Sequence, residues 1–143
     1  NWDFIVAMPV IMALGVKVSF LMKKEAFFWP LGGLFTWWGG IPINRDAAND
    51  TVEQVSQWYG SHEKVWVAIT PEGTRSQAHS WKSGFLRIAY KAQVPVFLVA
   101  WDYPNKRMHC DKVIIPSEHH SEDLRQIREH FAAHYTGCNT QQQ

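Results

Sequence analysis

A carboxylate, a glycine, hydroxyls and a guanidinium stand together in the run Thr70 to Ser76 (TPEGTRS), directly after the apolar stretch Val65 to Ile69. An apolar strand that stops at a proline leaves its carboxyl end at a sheet edge, which is where open α/β folds bind ligands. At such a place Arg75 offers a planar fork of donors that suits a phosphate, and Gly73 lets the backbone approach a ligand closely. Taken alone, the same residues also make an ordinary solvated turn. The rest of the chain has to decide between the two.

Three further stretches bear on that choice. Upstream, Lys23 and Lys24 open a segment that ends in Gly40-Ile41-Pro42-Ile43-Asn44-Arg45. Downstream come Trp81-Lys82-Ser83-Gly84-Phe85 and then Val94-Pro95-Val96-Phe97-Leu98-Val99. The order and the gaps resemble the glycerolipid acyltransferases, in particular bacterial 1-acylglycerol-3-phosphate (lysophosphatidate) acyltransferases. That family carries its site on a His-x-x-x-x-Asp pair, a glycine-to-arginine block, a Glu-Gly-Thr-Arg block and a Val-Pro strand. The resemblance runs from Asn1 to about Tyr103. Its third block is complete at Pro71 to Ser76. The second has Asn44 where an aspartate is usual, and the fourth has Leu98 where a second proline is common.

The first block is cut. Asn1-Trp2-Asp3 resembles its tail, and the histidine would lie three residues before Asn1. None of the seven histidines present has an aspartate five positions later, so the chain reads as a fragment. By itself Asp3 reads as a helix N-cap before an apolar run. The resemblance implies a second role, as partner of the missing imidazole. It further implies that Lys23, Lys24, Gly40, Arg45, Glu72, Gly73, Thr74 and Arg75 hold the phosphate and glycerol of an acceptor. Lys82, Val94 and Pro95 would serve the acyl donor or the structure. The implied reaction moves a fatty acyl group from acyl-CoA or acyl carrier protein to the free hydroxyl of a lysophospholipid, with no metal or organic cofactor. A different class of function is open too, that of a catalytically inactive lipid-binding module of the same descent, and so is another lysolipid acceptor.

Composition sets wider bounds. A chain of 143 residues can bury a real core as one domain, expected here over 1–136, with 137–143 as a disordered tail. A net charge of +1 without a basic stripe argues against nucleic acid as a partner. The basic groups Lys23, Lys24, Arg45, Arg75 and Lys82 suit one small anion better. Cys110 and Cys138 are too few for a disulfide framework and read as reduced thiols. His130 and His134 have helical spacing but no glutamate directly after the first, so they read as a polar helix face rather than a zinc site. Ser76, Ser80 and Ser83 lack a nucleophile-elbow pattern.

Trp29, Trp37 and Trp38 fall in one segment with Phe27, Phe28, Leu31, Leu34 and Phe35. Indole favours a setting with one end apolar and the other wet, so the cluster points to contact with a membrane surface. Together with the resemblance, this places the chain at the cytoplasmic face of the cell membrane, peripheral or monotopic. The apolar run Phe4 to Val16 is short of the roughly 20 residues needed to span a bilayer and reads as a buried helix.

The elements that must position these residues alternate. Strands are expected at Val16 to Leu21, Ile41 to Ile43, Val65 to Ile69, Val96 to Trp101 and, briefly, Val113 to Ile115. The third and fourth are apolar throughout, the pattern of strands buried on both faces. Helices are expected at Ala26 to Trp38, bent at Pro30; at Thr51 to Tyr59, capped by Asp50 with Glu53 closing a capping box; at Ser83 to Ala92; and at Glu122 to Tyr135, capped by Ser121. Strands separated by helices define an α/β fold with a largely parallel central sheet flanked by helices, like that of glycerol-3-phosphate acyltransferases.

Overall fold

Val18, Phe20 and Leu21 form the middle of the parallel sheet that the strand pattern requires. The structure, a computed structural model, describes residues 9–11, 13–44, 48–71, 81–102 and 104–135. The chain divides into two compact units, Asn1–Ile69 and Thr70–Gln143. In the first unit, β1 (Val18–Lys23) lies between β2 (Gly40–Ile43) and β3 (Trp66–Ala68), parallel to both. Phe20 stands opposite Gly40 and Lys23 opposite Ile43; on the other side Val18 stands opposite Trp66.

The crossover from β1 to β2 differs from the single bent helix expected over Ala26 to Trp38. A 3₁₀ turn covers Lys24–Ala26, the Trp29–Pro30 peptide is cis, and α1 spans only Leu31–Trp37. Proline has no N–H to give and drives the preceding residue out of helical geometry, so one helix does not run through it, and here Pro30 stands at the N-cap. The return into β2 needs two glycines. Gly39 has φ +92°, and a Cβ there would lie 2.7 Å from the Val18 carbonyl oxygen. A Cβ on Gly40 would meet the Phe35 carbonyl oxygen at 2.8 Å and the Met22 sulfur at 3.0 Å.

After β2, α2 runs over Ala48–Gly60. Asp50 is therefore inside its first turn and not ahead of it, where its charge still suits the positive end of the helix. Glu53 accepts a hydrogen bond from Gln57 Nε2 at 2.9 Å, one turn onward, in place of the expected capping box. Among the described residues of this unit, Ile41, Ile43, Val52 and Val55 are the buried apolar side chains. β3 is an edge strand, and Trp66 is 47% exposed, so its apolar run does not mark burial on both faces. Of the expected first helix, residues 9–11 and 13 are helical, and Leu14 just after them is exposed and not buried.

The second unit contains α3 (Gly84–Ala92), β4 (Val96–Asp102), β5 (Arg107–Ile114) and α4 (His120–His134). β4 and β5 form an antiparallel hairpin with a register shift between Leu98 and Ala100. β5 is thus longer than the short Val113 to Ile115 strand expected, and Ile115 lies beyond it, 84% exposed. Along β4 burial alternates, with Leu98, Ala100 and Asp102 inside and Phe97 and Val99 outside, as in a ribbon covered on one face. The inner face packs Leu86, Leu98 and Ile127 into a core, closed by Trp81, Phe85, Leu124 and Phe131. Leu124, Ile127, Phe131 and Tyr135 do form the inward stripe of α4. Its N-cap is His119 and not Ser121; the buried Asp123 carboxylate accepts from Ser117 N–H at 2.7 Å, which ties down the approach to the helix.

Candidate functional site

Parallel pairing decides which of the chemically interesting residues can meet. Because Lys23 is in register with Ile43, the next residues on each strand, Lys24 and Asn44, emerge at the same carboxyl edge of the sheet. There they line an open cleft of about 380 Å³ together with Glu25, Phe27 and Phe28. This is the edge at which open α/β sheets accept ligands. An ammonium for an anion, a carboxylate able to accept from a hydroxyl, and two phenyl rings for an apolar chain converge in one place.

The backbone of Asn44 is held by α2. Asn44 N–H donates to Gln54 Oε1 at 3.1 Å, while Gln54 Nε2 at 3.3 Å and Thr51 Oγ1 at 3.3 Å donate to the Asn44 carbonyl oxygen. Gln54 Nε2 also lies 3.1 Å from the Asp50 carbonyl oxygen, which anchors the amide to its own helix.

Gly40 belongs to the other end of β2 from the cleft. Its hydrogen is what allows Phe35, Met22 and Phe27 to close around it, so the task the geometry gives it is packing. Asp3, Arg45, Glu72, Gly73, Thr74 and Arg75 lie outside the described residues. The ends of the segment that carries the last four are nevertheless fixed: Lys82 N–H donates to the Pro71 carbonyl oxygen at 2.9 Å. The Lys82 side chain is exposed. Val94 and Pro95 connect α3 to β4, with Val94 N–H bonded to Ala89 O at 3.0 Å after the left-handed residue Gln93. Their place is that of a helix-to-strand joint.

Glu25, Phe27, Phe28 and Asn44 escape a motif search for basic groups, although each is within four residues of one in sequence. So do Gln54 and Thr51, whose polar side chains within an amphipathic helix look like solvent-facing positions.

Titratable groups are more tightly organised in the second unit. Tyr135 donates to Asp111 and its oxygen is 3.2 Å from His130 Nε2. Burial first, then the Asp111 contact, pushes the phenol up to about 12, and the same bond holds the Asp111 carboxyl below its ordinary value. Asp102 is held low chiefly by Asn105, whose side chain and backbone N–H both donate to it, and His109 Nε2 lies 3.6 Å away. These contacts join β5 and the hairpin turn to the end of α4. Among the described residues no group of three or more metal-ligating side chains is assembled. A second depression, along α4, is lined by Arg125, whose guanidinium is already engaged by Glu122 and Glu129.

A mixed α/β unit with a polar and aromatic cleft at the carboxyl edge of a parallel sheet has an opening where such folds bind ligands. The family model described as Acyltransferase matches residues 1–101, so the chain belongs to the acyltransferase family, and its reaction class is acyl transfer. No curated protein and no solved structure shows significant similarity to it.

Proposed function

We propose that the chain acts on 1-acylglycerol 3-phosphate, transferring a fatty acyl group from acyl-CoA or acyl carrier protein to its free hydroxyl and giving phosphatidate. The observation that carries this is the cleft itself, which sets Lys24 beside Phe27 and Phe28 and ends at Asn44, next in sequence to Arg45. A lysophospholipid has a phosphate for the cations and a chain for the rings. The resemblance assigns Arg75, from the Glu-Gly-Thr-Arg block, a bidentate phosphate contact of the kind lysine cannot make. It assigns Glu72 to the glycerol hydroxyls or to orienting a neighbouring cation.

The chemistry needs little beyond positioning, since a thioester is already activated. A histidine expected upstream of Asn1 takes the proton of the acceptor hydroxyl as its oxygen bonds to the thioester carbon. The C–S bond then breaks and the proton passes to the departing thiolate. Asp3 keeps the imidazole in the correct tautomer and stabilises its cation. The nucleophile belongs to the substrate, so no acyl-enzyme forms.

Calorimetry with glycerol 3-phosphate and with glycerol tests the acceptor assignment. Glycerol 3-phosphate should bind, and Arg75→Ala should weaken it by about 1.5 to 3 kcal/mol, the worth of a hydrogen bond to a charged group. Equal affinity for glycerol and its phosphate would overturn it. Turnover is expected once an upstream segment places histidine five residues before Asp3, and should fall by about 10² to 10⁴-fold with alanine there. Acceptor binding with no turnover in the histidine-bearing chain would point instead to a lipid-binding module.

A further inference from the structure

Six large apolar side chains of the β1–β2 crossover face outward: Phe28, Trp29, Leu31, Leu34, Trp37 and Trp38. Trp29 is 91% and Trp37 80% exposed, which is far from the place of an ordinary core indole. Phe27 and Phe35 meet edge to face beneath them at 6.0 Å, so the crossover has an inner aromatic contact of its own and the six outer groups are surplus to it. Contiguous apolar surface of this kind marks an interaction site.

We propose that this crossover face docks on the surface of an anionic lipid bilayer, with Trp29 and Trp37 at the headgroup level, and so delivers the lipid acceptor to the cleft. The delivery part rests on the acceptor assignment above; the docking part does not. Four observations select a bilayer as the occupant. Indole is the side chain that favours the boundary between water and hydrocarbon. From Ala26 to Asn44 there is no charged residue, and the hydroxyl of Thr36 donates to Gly32 O at 3.0 Å, so the indole N–H of Trp37 is the one side-chain donor of α1 left to the headgroup level. The ends of the crossover carry three lysines against one glutamate: it leaves β1 at Lys23 and Lys24, followed by Glu25, and it returns at Gly39, against the Val18 carbonyl beside Lys17. That arrangement suits anionic headgroups around an inserted apolar wedge. Finally, Phe28 belongs both to the exposed face and to the cleft lining, so the two surfaces are continuous. Among the described residues no helix is long and apolar enough to cross a membrane, and a face-down contact requires none.

Vesicle flotation tests the docking. Phosphatidylcholine vesicles with about 30 mol % phosphatidylglycerol should carry the parent chain, vesicles of phosphatidylcholine alone should carry less, and binding should weaken between about 0.1 and about 0.5 M salt. Trp29→Ser with Trp37→Ser should lower the bound fraction at least about tenfold, while Ile115→Ser, which removes an equally exposed apolar group from the other unit, should not change it. Both tryptophans are surface groups, and far-UV circular dichroism checks that the variant remains folded. Without any variant, lipids brominated near the headgroup should quench the parent's tryptophan emission. A parent chain that stays in solution, an unchanged double variant, or self-association that the double variant abolishes would each overturn the proposal; the last would assign the face to a second copy of the chain. Glycerol 3-phosphate affinity is measured without vesicles, so failure of docking is distinguishable from failure of the acceptor assignment.

Discussion

Among the described residues up to Ile69, cations end strands and indoles face outward, whereas beyond Thr70 ionisable groups are tied to one another and rings close over a core. The first unit has Lys23 and Lys24 at the carboxyl end of β1 and exposes Trp29, Trp37 and Trp38. The second joins Asp111, Tyr135 and His130, pairs Asp102 with His109, and packs Trp81 on Phe131 at 5.1 Å. We read the described residues of the first unit as a working face and those of the second as a support; Glu72 to Arg75 lie outside the described residues. Neither arrangement could be exchanged for the other at no cost. Burying the lysines would require partners for them, and exposing Leu86 or Ile127 would remove the core.

The largest expected effect belongs to the support. Leu86 is fully buried, so Leu86→Ala should lower unfolding stability by about 2 to 5 kcal/mol, measured by urea denaturation. Glycerol 3-phosphate affinity, taken where the variant is still folded, should stay within about threefold, since no ligand contact is removed. A large loss of affinity without unfolding would break the division between face and support.

A smaller effect is expected on the working face. Gln54→Ala removes both side-chain contacts to the Asn44 backbone, and hydrogen bonds of this kind contribute about 0.5 to 1.5 kcal/mol each. Acceptor binding should weaken by up to about tenfold while the donor KM is unchanged. Gln54→Glu keeps an oxygen to accept from Asn44 N–H and should recover part of the loss. Equal shifts for both substrates would make Gln54 a stability residue only.

The smallest effect is one of pH, again in the support. The folded Asp102 carboxyl is held below its ordinary value, so its contribution is present above that value and disappears as pH falls through the folded one. Asp102→Asn should therefore melt below the parent at pH about 6, and the gap should narrow below about pH 4. A gap that stays constant across that range would mean that the Asn105 contacts act without regard to charge.

Much of the fold was legible from local pattern, because α/β alternation and the inward stripe Leu124, Ile127, Phe131 and Tyr135 repeat within a single element. Strand environment was not. Val65 to Ile69 and Val96 to Trp101 have the same uninterrupted apolar character, yet one contains an edge strand and the other forms half of a hairpin. An apolar run records that a strand forms and not how many neighbours it gains. Helix starts were displaced for a related reason, since Asp50 and Ser121 resemble caps while the positions before them are equally able to turn. At the site, lysines and arginines stand out by type. That Lys24 and Asn44 share a cleft depends on the register of Lys23 with Ile43, which is a relation between distant segments.

Three bonds from α2 to position 44 fall on the peptide N–H and carbonyl. A grip on the main chain is indifferent to what the side chain is. An aspartate at position 44 would leave these three bonds in place. The hold on the strand end therefore lies ten positions onward, at an amide in a helix that no motif would mark.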